Sequence, residues 1–236
     1  MINEAVVLAG GFGTRLKTVV SDVPKPMAPV AGKPFLHYVL TRLAQSGISR
    51  VVLSVGYLSE QIILHFGNTY AGMEIIYAVE TTPLGTGGGI RLALQECGSA
   101  HVLVLNGDSW FDFPLRPFYE FHLESSADVS MALRDVEDGA RYGTIELYGK
   151  RVKAFREKSE EHSGKQLINA GLYIIRKKSF MQHTPQDVAF SIEYDFFGRY
   201  AQRLQFQGYR TEGYFVDIGL PEDYFRAQEE FLERYS

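Results

Sequence analysis

Short apolar runs alternate with helix-like patterns along the first half of the chain. The runs are rich in Val, Ile and Leu and are bounded by polar and turn residues, which is typical of buried strands. The predicted strands are Ala5–Leu8, Arg50–Val55, Met73–Val79 and His101–Asp108. Apolar residues at helical spacing predict helices between them, over Phe35–Gln45, Ser59–Phe66 and Gly88–Glu96. This alternation of strand and helix predicts a mostly parallel sheet that is covered by helices on both faces.

The second half of the chain has a more mixed pattern. The strands predicted there are Asp128–Arg134, Thr144–Leu147, Arg151–Arg156, Leu167–Ile175, Leu204–Glu212 and Tyr214–Asp217. Helices are predicted over Ser191–Arg203 and Pro221–Tyr235, the second with a proline near its first turn, where the missing N–H costs nothing. No linker rich in Gly, Ser or Pro separates the two halves, so we expect one α/β domain over residues 1–236.

The amino-acid composition limits the kinds of molecule that the protein can bind. The formal net charge is −4, so the chain has no overall positive field for nucleic acid, and an anion must bind at a local site. The single cysteine, Cys97, excludes an internal disulfide framework and a cysteine-based zinc cluster. The sequence shows neither a secretory signal at its start nor an apolar run long enough to span a bilayer. We therefore expect a cytoplasmic protein with no membrane partner.

The loop after the first predicted strand is the strongest candidate for an anion site. Gly10, Gly11 and Gly13 allow a ligand to approach the backbone closely. Arg15 and Lys25 add positive charge, so phosphate is the first ligand to consider. On this evidence alone, a glycine turn with solvated basic side chains remains an alternative.

Two common phosphate-binding loops do not fit this segment. A Walker A loop needs Ser or Thr after its Gly-Lys pair, but Pro34 follows Lys33 here. A Rossmann dinucleotide loop needs a third glycine where Leu16 stands, and it opens directly into a helix. The prolines at positions 24, 26, 29 and 34 prevent a long helix directly after the glycines. A NAD-linked oxidoreductase is therefore disfavoured.

A series of motifs, in order along nearly the whole chain, resembles the sugar-1-phosphate nucleotidyltransferases. These motifs are "GGFGTRL", "PKPMAPVAGKP", "PLGTGGGI", "LNGD", "FREK", "INAGLYI" and "FVDIGLPEDY". The resemblance implies a single Rossmann-like domain of the glycosyltransferase-A type, with a central, mostly parallel mixed sheet flanked by helices. It also implies a nucleotide-binding half over residues 1–130 and a sugar-phosphate-binding half over residues 131–236.

The implied reaction is the attack of a sugar 1-phosphate oxygen on the α-phosphorus of a nucleoside triphosphate, with pyrophosphate leaving. The attacking phosphate is already an anion at neutral pH, because its second pKa is about 6, so no general base is needed. The reaction needs cations and aligned donors. Asp108 and Asp217 each end a predicted strand, and together they can share one Mg²⁺ with the phosphate oxygens. Each alone also fits an ordinary turn at a strand end.

The resemblance assigns roles residue by residue. The implied catalytic residues are Arg15 on the β- and γ-phosphates, Lys25 between the two phosphates being joined, and Asp108. The implied nucleotide contacts are Leu8, Gly10, Gly11, Gly13, Thr14, Gly85, Thr86 and Gly87. The implied sugar-phosphate contacts are Gly143, Glu157, Lys158 and Asn169. The implied metal ligands are Asp108 and Asp217, with Mg²⁺ as cofactor.

Some of these positions have other interpretations. The glycines of Gly85–Gly89 suggest a side-chain-free surface for a flat base, but a flexible turn has the same composition. Glu157 and Lys158 also fit an exposed charged loop, and Ser159 stands where the family often has proline. The segment Glu193–Tyr200 fits either a helix face or a wall of the sugar pocket.

The substrates are predicted from the resemblance of two segments. The segments Arg15–Val30 and Pro83–Ile90 most resemble guanylyltransferases that act on D-glycero-α-D-manno-heptose 1-phosphate. This implies GTP as donor and GDP-heptose for cell-surface polysaccharide as product. Other stretches equally resemble a uridylyltransferase acting on N-acetylmuramate 1-phosphate, and mannose or glucose 1-phosphate also stays open. A non-catalytic nucleotide-sugar sensor is the alternative from another class. The sequence leaves monomer and homodimer open.

Overall fold

A computed structural model describes residues 1–11, 16, 19–20, 22–137, 139, 142–156 and 164–235. Within these residues the strands are β1 Glu4–Leu8, β2 Pro29–Val30, β3 Lys33–Pro34, β4 Arg50–Val55, β5 Thr69–Tyr70, β6 Met73–Val79, β7 His101–Asn106, β8 Ser109–Phe111, β9 Val129–Val136, β10 Thr144–Tyr148, β11 Arg151–Arg156, β12 Gln166–Arg176, β13 Phe206–Arg210 and β14 Phe215–Asp217. The α-helices are α1 Phe35–Gln45, α2 Ser59–Phe66, α3 Gly85–Gln95, α4 Leu115–Glu124, α5 Lys177–His183 and α6 Pro221–Tyr235. A 3₁₀ turn spans Lys25–Met27, and a π-helix spans Ile192–Gly198.

A ten-stranded mixed sheet runs through both halves, in the order β10-β11-β13-β9-β12-β7-β1-β4-β6-β5. Its parallel part β7-β1-β4-β6 comes from the first half, as the strand-helix alternation predicts. Strand β12 joins this part antiparallel to β7, and β9 then pairs antiparallel with β12. Strand β13 returns parallel to β9. The predicted α/β fold with a mixed central sheet is confirmed.

Hydrophobic cores lie on both faces of the sheet. Neighbouring strand residues point to opposite faces, so Val7 joins one core and Val6 the other. The first core includes Phe231 of α6, together with residues from α1, α2 and α4. The second includes Phe180 of α5 and Phe197 of the π-helix. Both faces of the central strands are therefore buried, which explains their continuous apolar sequence.

The first turn of α3 differs from the prediction. The helix begins at Gly85 rather than Gly88, because its glycines pack directly against the segment around Phe190. A Cβ added at Gly87 would lie 2.1 Å from the Phe190 ring. The helix start is thus set by a contact between distant segments, and the helical periodicity alone does not reveal it.

Further departures lie later in the chain. Helices α4 and α5 have no counterpart among the predicted elements; in α4, Pro117 lies in the first turn, where a missing N–H is tolerated. The helix predicted over Ser191–Arg203 is a π-helix from Ile192 to Gly198, and Ser191 caps it by accepting the Tyr194 N–H. In the described part of the chain, no helix combines the length and the apolar character that a membrane crossing requires.

Candidate active site

Two aspartates meet at the carboxyl edge of the sheet. Asp108 follows β7 after one glycine, and Asp217 is the last residue of β14. Strand β14 pairs antiparallel with β8, which places Asp217 opposite Ser109. The Ile218 N–H donates to the Asp108 backbone oxygen at 3.1 Å. The small β8–β14 sheet therefore brings together two strand ends that are far apart in sequence.

Gly107 fixes the turn that carries Asp108. Its N–H donates to the Leu8 carbonyl oxygen at 2.8 Å, so the end of β7 is held against the end of β1. A Cβ added at Gly107 would lie 2.7 Å from the same oxygen, which leaves no room for a side chain. The position requires glycine because two backbones approach closely there.

Lys25 lies between the two carboxylates. Its Nζ is 2.5 Å from Asp108 Oδ2 and 3.3 Å from Asp217 Oδ1, and its side chain is only 9% exposed. The 3₁₀ turn between Pro24 and Pro26 holds its backbone. Burial opposes the ammonium charge, but the charges of Asp108 and Asp217 outweigh it, and the pKa of Lys25 is raised. The lysine is therefore charged at neutral pH.

The surroundings of Asp217 disfavour its negative charge. Burial and the neighbouring Asp108 charge raise its pKa, although Lys25 and a 2.7 Å hydrogen bond from the Gly219 N–H act in the opposite direction. Two carboxylates thus share a single lysine as their counter-ion. A second cation near them would lower the electrostatic energy of this group.

This set of donors fits Mg²⁺. Asp108 and Asp217 supply carboxylate oxygens that both lie within 3.3 Å of one nitrogen, so they already converge on a cation. Mg²⁺ is normally held by one or two carboxylates together with substrate phosphates and water. Among the described residues, no group of three or more His, Cys, Asp or Glu forms a self-sufficient metal cage. The arrangement is therefore suited to a metal that is shared with a phosphate substrate.

A cleft of about 420 Å³ extends from this carboxylate pair. Asn169 lines this cleft and is held within β12: its Nδ2 donates to Tyr173 Oη at 2.7 Å, and its Oδ1 accepts the Gly171 N–H at 3.1 Å. Gly171 has a φ of +70°, at an irregularity where the pairing of β12 with β9 changes register. This irregularity in the strand orients the Asn169 amide beside the cleft.

Gly143 lies next to Asn169. Its carbonyl oxygen accepts the Asn169 N–H at 2.9 Å, and a Cβ at this position would lie 2.6 Å from the Phe155 ring. Both residues line the cleft. The structure thus brings together two of the four residues that we expected at the sugar phosphate. The other two, Glu157 and Lys158, lie outside the described residues, and their roles stay predictions.

The expected nucleotide contacts near β1 are only partly described. Leu8 pairs with Asn106 across the parallel strands, so the end of β1 adjoins the end of β7. Gly10 and Gly11 continue from it at the same edge, where Gly11 is exposed. Gly13, Thr14 and Arg15 lie outside the described residues, and the expected phosphate contact of Arg15 stays a prediction.

The start of α3 is less open than the sequence suggests. Gly85 and Thr86 are exposed, but Gly87 and Gly88 are buried. The Gly87 N–H donates to the Phe190 oxygen at 2.9 Å, and the Phe190 ring lies where a Gly87 side chain would be. The expected side-chain-free surface is therefore filled at Gly87 and Gly88. Whether Gly85, Thr86 and Gly87 contact the nucleotide stays a prediction.

Thr86 connects the two halves across the cleft. Its Oγ1 donates to Glu193 Oε2 at 2.9 Å and accepts the Ile192 N–H at 3.0 Å. Glu193 also lines the cleft, so the segment Glu193–Tyr200 contributes to the pocket wall through its first residue. Apolar spacing gives no signal for Phe190 or Glu193, because their contacts depend on a segment about a hundred positions away.

Comparisons with known proteins agree with this architecture. The family described as nucleotidyl transferase matches residues 4–234. The chain is 43% identical over 232 residues to a D-glycero-alpha-D-manno-heptose 1-phosphate guanylyltransferase of Aneurinibacillus thermoaerophilus, covering 98% of this chain and 99% of that protein. It is 39% identical over 223 residues to the enzyme of the same name from Campylobacter jejuni, covering 94% and 97%. Two crystal structures of HddC from Yersinia pseudotuberculosis, one complexed with GMP-PN, match with TM-scores of 0.87 and 0.86 at 36% identity, covering 98% of this chain and 100% of theirs.

Proposed function

The chain belongs to the nucleotidyl transferase family, and we propose that it transfers a guanylyl group from GTP to D-glycero-α-D-manno-heptose 1-phosphate, forming GDP-heptose and pyrophosphate. One observation carries this proposal: Lys25, Asp108 and Asp217 converge at the carboxyl edge of the sheet, beside a cleft that is large enough for a ligand. The choice of base and sugar is supported by the full-length relatives described above.

The protein's own residues would neutralise the charges of the two substrates and orient them. Both substrates are anions, so Lys25 would offset their repulsion at the point where they meet. Arg15 is proposed on the leaving β- and γ-phosphates. Asp108 and Asp217 would hold Mg²⁺, which when bound neutralises triphosphate oxygens and fixes their direction. No residue has to remove a proton from the attacking phosphate, because its second pKa is about 6.

The two halves would divide the substrates between them. The nucleotide is proposed at the edge formed by residues 1–130, with contacts at Leu8, Gly10, Gly11, Gly13, Thr14, Gly85, Thr86 and Gly87. The sugar phosphate is proposed against residues 131–236, with contacts at Gly143, Glu157, Lys158 and Asn169. The positions of Gly143 and Asn169 in one wall of the cleft support this division. Both substrates are charged and soluble, so we propose a cytoplasmic location.

A pyrophosphate-release assay tests the proposal. The purified protein is given Mg²⁺, one of four nucleoside triphosphates, and heptose, mannose, glucose or N-acetylmuramate 1-phosphate. We expect GTP with the heptose 1-phosphate to have the highest kcat/KM. Sites that hydrogen-bond one substrate edge reject analogues by about 10⁴-fold, so the preference for GTP should be large.

The other outcomes of this assay are informative. A preference for UTP and N-acetylmuramate 1-phosphate would replace the proposed substrates. If no pair releases pyrophosphate, while nucleotide sugars still bind, the protein is a sensor rather than an enzyme. Excess chelator should abolish turnover, and full activity under chelation would contradict the proposed Mg²⁺ site.

A further inference from the structure

Glu193 lies in the wall of the cleft without a role in the chemistry proposed so far. It is the second residue of the π-helix Ile192–Gly198 and is partly exposed to the cleft. A π-helix is uncommon and is frequently found at functional sites. The question is therefore which group of a ligand this carboxylate binds.

The orientation of this carboxylate is fixed. Thr86 Oγ1 donates to Glu193 Oε2 at 2.9 Å, and Ser191 Oγ donates to the same oxygen at 3.0 Å. Thr86 is itself held by the Ile192 N–H, and Ser191 by its capping contact with the Tyr194 N–H. Within the described part of the chain, Oε1 makes no hydrogen bond. One oxygen is thus anchored and the other is available to a ligand.

Packing places the π-helix that carries Glu193 over the strands at the sugar end of the cleft. About one turn further along the π-helix, the Phe197 ring packs against Tyr173 at a centroid distance of 5.0 Å and against Phe155 at 6.1 Å. Tyr173 accepts the hydrogen bond from Asn169, and Phe155 lies against Gly143. The start of the π-helix therefore lies over the strands that carry the proposed sugar contacts.

The charge of Glu193 limits what it can bind. A carboxylate only accepts hydrogen bonds and repels phosphate, so the part of a sugar phosphate or nucleotide that it binds is an uncharged donor. At this end of the cleft, the donors that a substrate brings are the hydroxyl groups of the sugar. We propose that Glu193 Oε1 accepts a hydrogen bond from a hydroxyl of the sugar 1-phosphate and thereby selects the acceptor sugar. This inference rests on the proposed function; Ser191 acts as a positioning residue.

The test separates the two substrates kinetically. Glu193→Gln keeps the side-chain size but removes the charge, and Glu193→Asp keeps the charge but withdraws the oxygen from the cleft. A hydrogen bond to a charged group contributes about 10- to 100-fold in binding. We expect both variants to raise the KM for the sugar 1-phosphate by about this factor, with the KM for GTP changed less than about twofold. Glu229→Gln, on an exposed face of α6, is the matched control.

Calorimetry adds a readout that does not depend on turnover. GDP should bind the wild type and Glu193→Gln equally, whereas GDP-heptose should bind the variant more weakly. Ser191→Ala should raise the same KM by a smaller factor, and Ser191→Thr should restore it, because the hydroxyl returns.

The possible failures are distinguishable. If the wild-type protein uses no sugar 1-phosphate, the proposed function fails. If it turns over but Glu193→Gln behaves like Glu229→Gln, only the role of Glu193 is wrong. A rise in the KM for GTP that matches the rise for the sugar would also overturn it, because Glu193 would then serve the nucleotide. Thermal unfolding of Glu193→Gln and Glu193→Asp identifies a folding defect, and the variant that keeps its wild-type Tm decides the question.

Discussion

Removing Lys25 tests the charge balance of the site most directly. Its ammonium lies 2.5 Å from one Asp108 oxygen and 3.3 Å from one Asp217 oxygen. Lys25→Met keeps most of the side-chain length but removes the charge, so the carboxylates lose their counter-ion. Lys33→Met is a matched control, because Lys33 lies nearby in β3 and is exposed.

The expected loss of stability follows from burial. Removing one partner of a buried ion pair costs about 3–5 kcal/mol. The Asp108 and Asp217 side chains are 30% and 32% exposed, so water offsets part of the loss. We therefore expect the free energy of unfolding to fall by about 3 kcal/mol at pH 7. For a chain of this size, the Tm should fall by about 6–12 °C.

The loss should depend on pH in a defined direction. Without Lys25 the carboxylate repulsion is uncompensated, and the pKa of Asp217, already raised by burial and Asp108, rises further. A group with a raised folded-state pKa stabilises the protein at low pH, and this contribution disappears as the pH rises through that pKa. The difference between Lys25→Met and the wild type should therefore be small near pH 4 and grow toward pH 7.

Urea unfolding and thermal scans, each with and without Mg²⁺, measure these effects. A divalent cation can take the place of the lost ammonium, so Mg²⁺ should raise the Tm of Lys25→Met more than that of the wild type. Lys33→Met should match the wild type under every condition. The reasoning is refuted if Lys25→Met is as stable as Lys33→Met at pH 7, or if its deficit does not change with pH.

Three further predictions concern other parts of the structure. Asp217→Asn should lower kcat by about 10²–10³-fold in the pyrophosphate assay, since one preorganised electrostatic contact has this effect; a normal kcat would contradict its metal role. Burial, followed by the charges of His101 and Arg176, lowers the pKa of His122 from 6.5 to about 3. Between pH 6.5 and about 3 the unfolded chain therefore binds the extra proton, and across this window the free energy of unfolding should fall by about 1.4 kcal/mol for each pH unit. His122→Gln should flatten this slope in urea titrations, and an unchanged slope would assign it to other groups. Gly87→Ala should lower the Tm, because its Cβ would lie 2.1 Å from the Phe190 ring, and adding Phe190→Leu should recover part of the loss; a double variant no more stable than Gly87→Ala would show another cause.

The regular elements of the first half were predictable because their signals are local. The bounds of α1 and α2 match the spacing of their apolar residues. The start of α3 was not predictable, because the ring of Phe190 determines where its glycines pack. The π-helix is similarly hidden, since its apolar residues satisfy an ordinary helical pattern as well.

In the candidate site, too, local sequence predicts some features and not others. The convergence of Asp108 and Asp217 was predictable because each carboxylate stands at the end of an apolar strand segment. The contact of Lys25 with both was not, since sequence suggests its charge but not its partner. Glu193 is hydrogen-bonded to Thr86, which lies 107 positions away, and no local sequence pattern predicts this contact.

The pairing of β8 with β14 determines when the site can form during protein synthesis. Lys25 and Asp217 are 192 positions apart. They come into contact only when β14, a strand near the end of the described chain, brings Asp217 to the site. A chain emerges from the ribosome from its N-terminus, at about 5–20 residues per second, so its first half is exposed long before Asp217 is made. Until β14 docks on β8, the nascent chain has one carboxylate of the pair and lacks the other. Translation that stops early therefore produces a protein without a complete centre, however well its first half has folded.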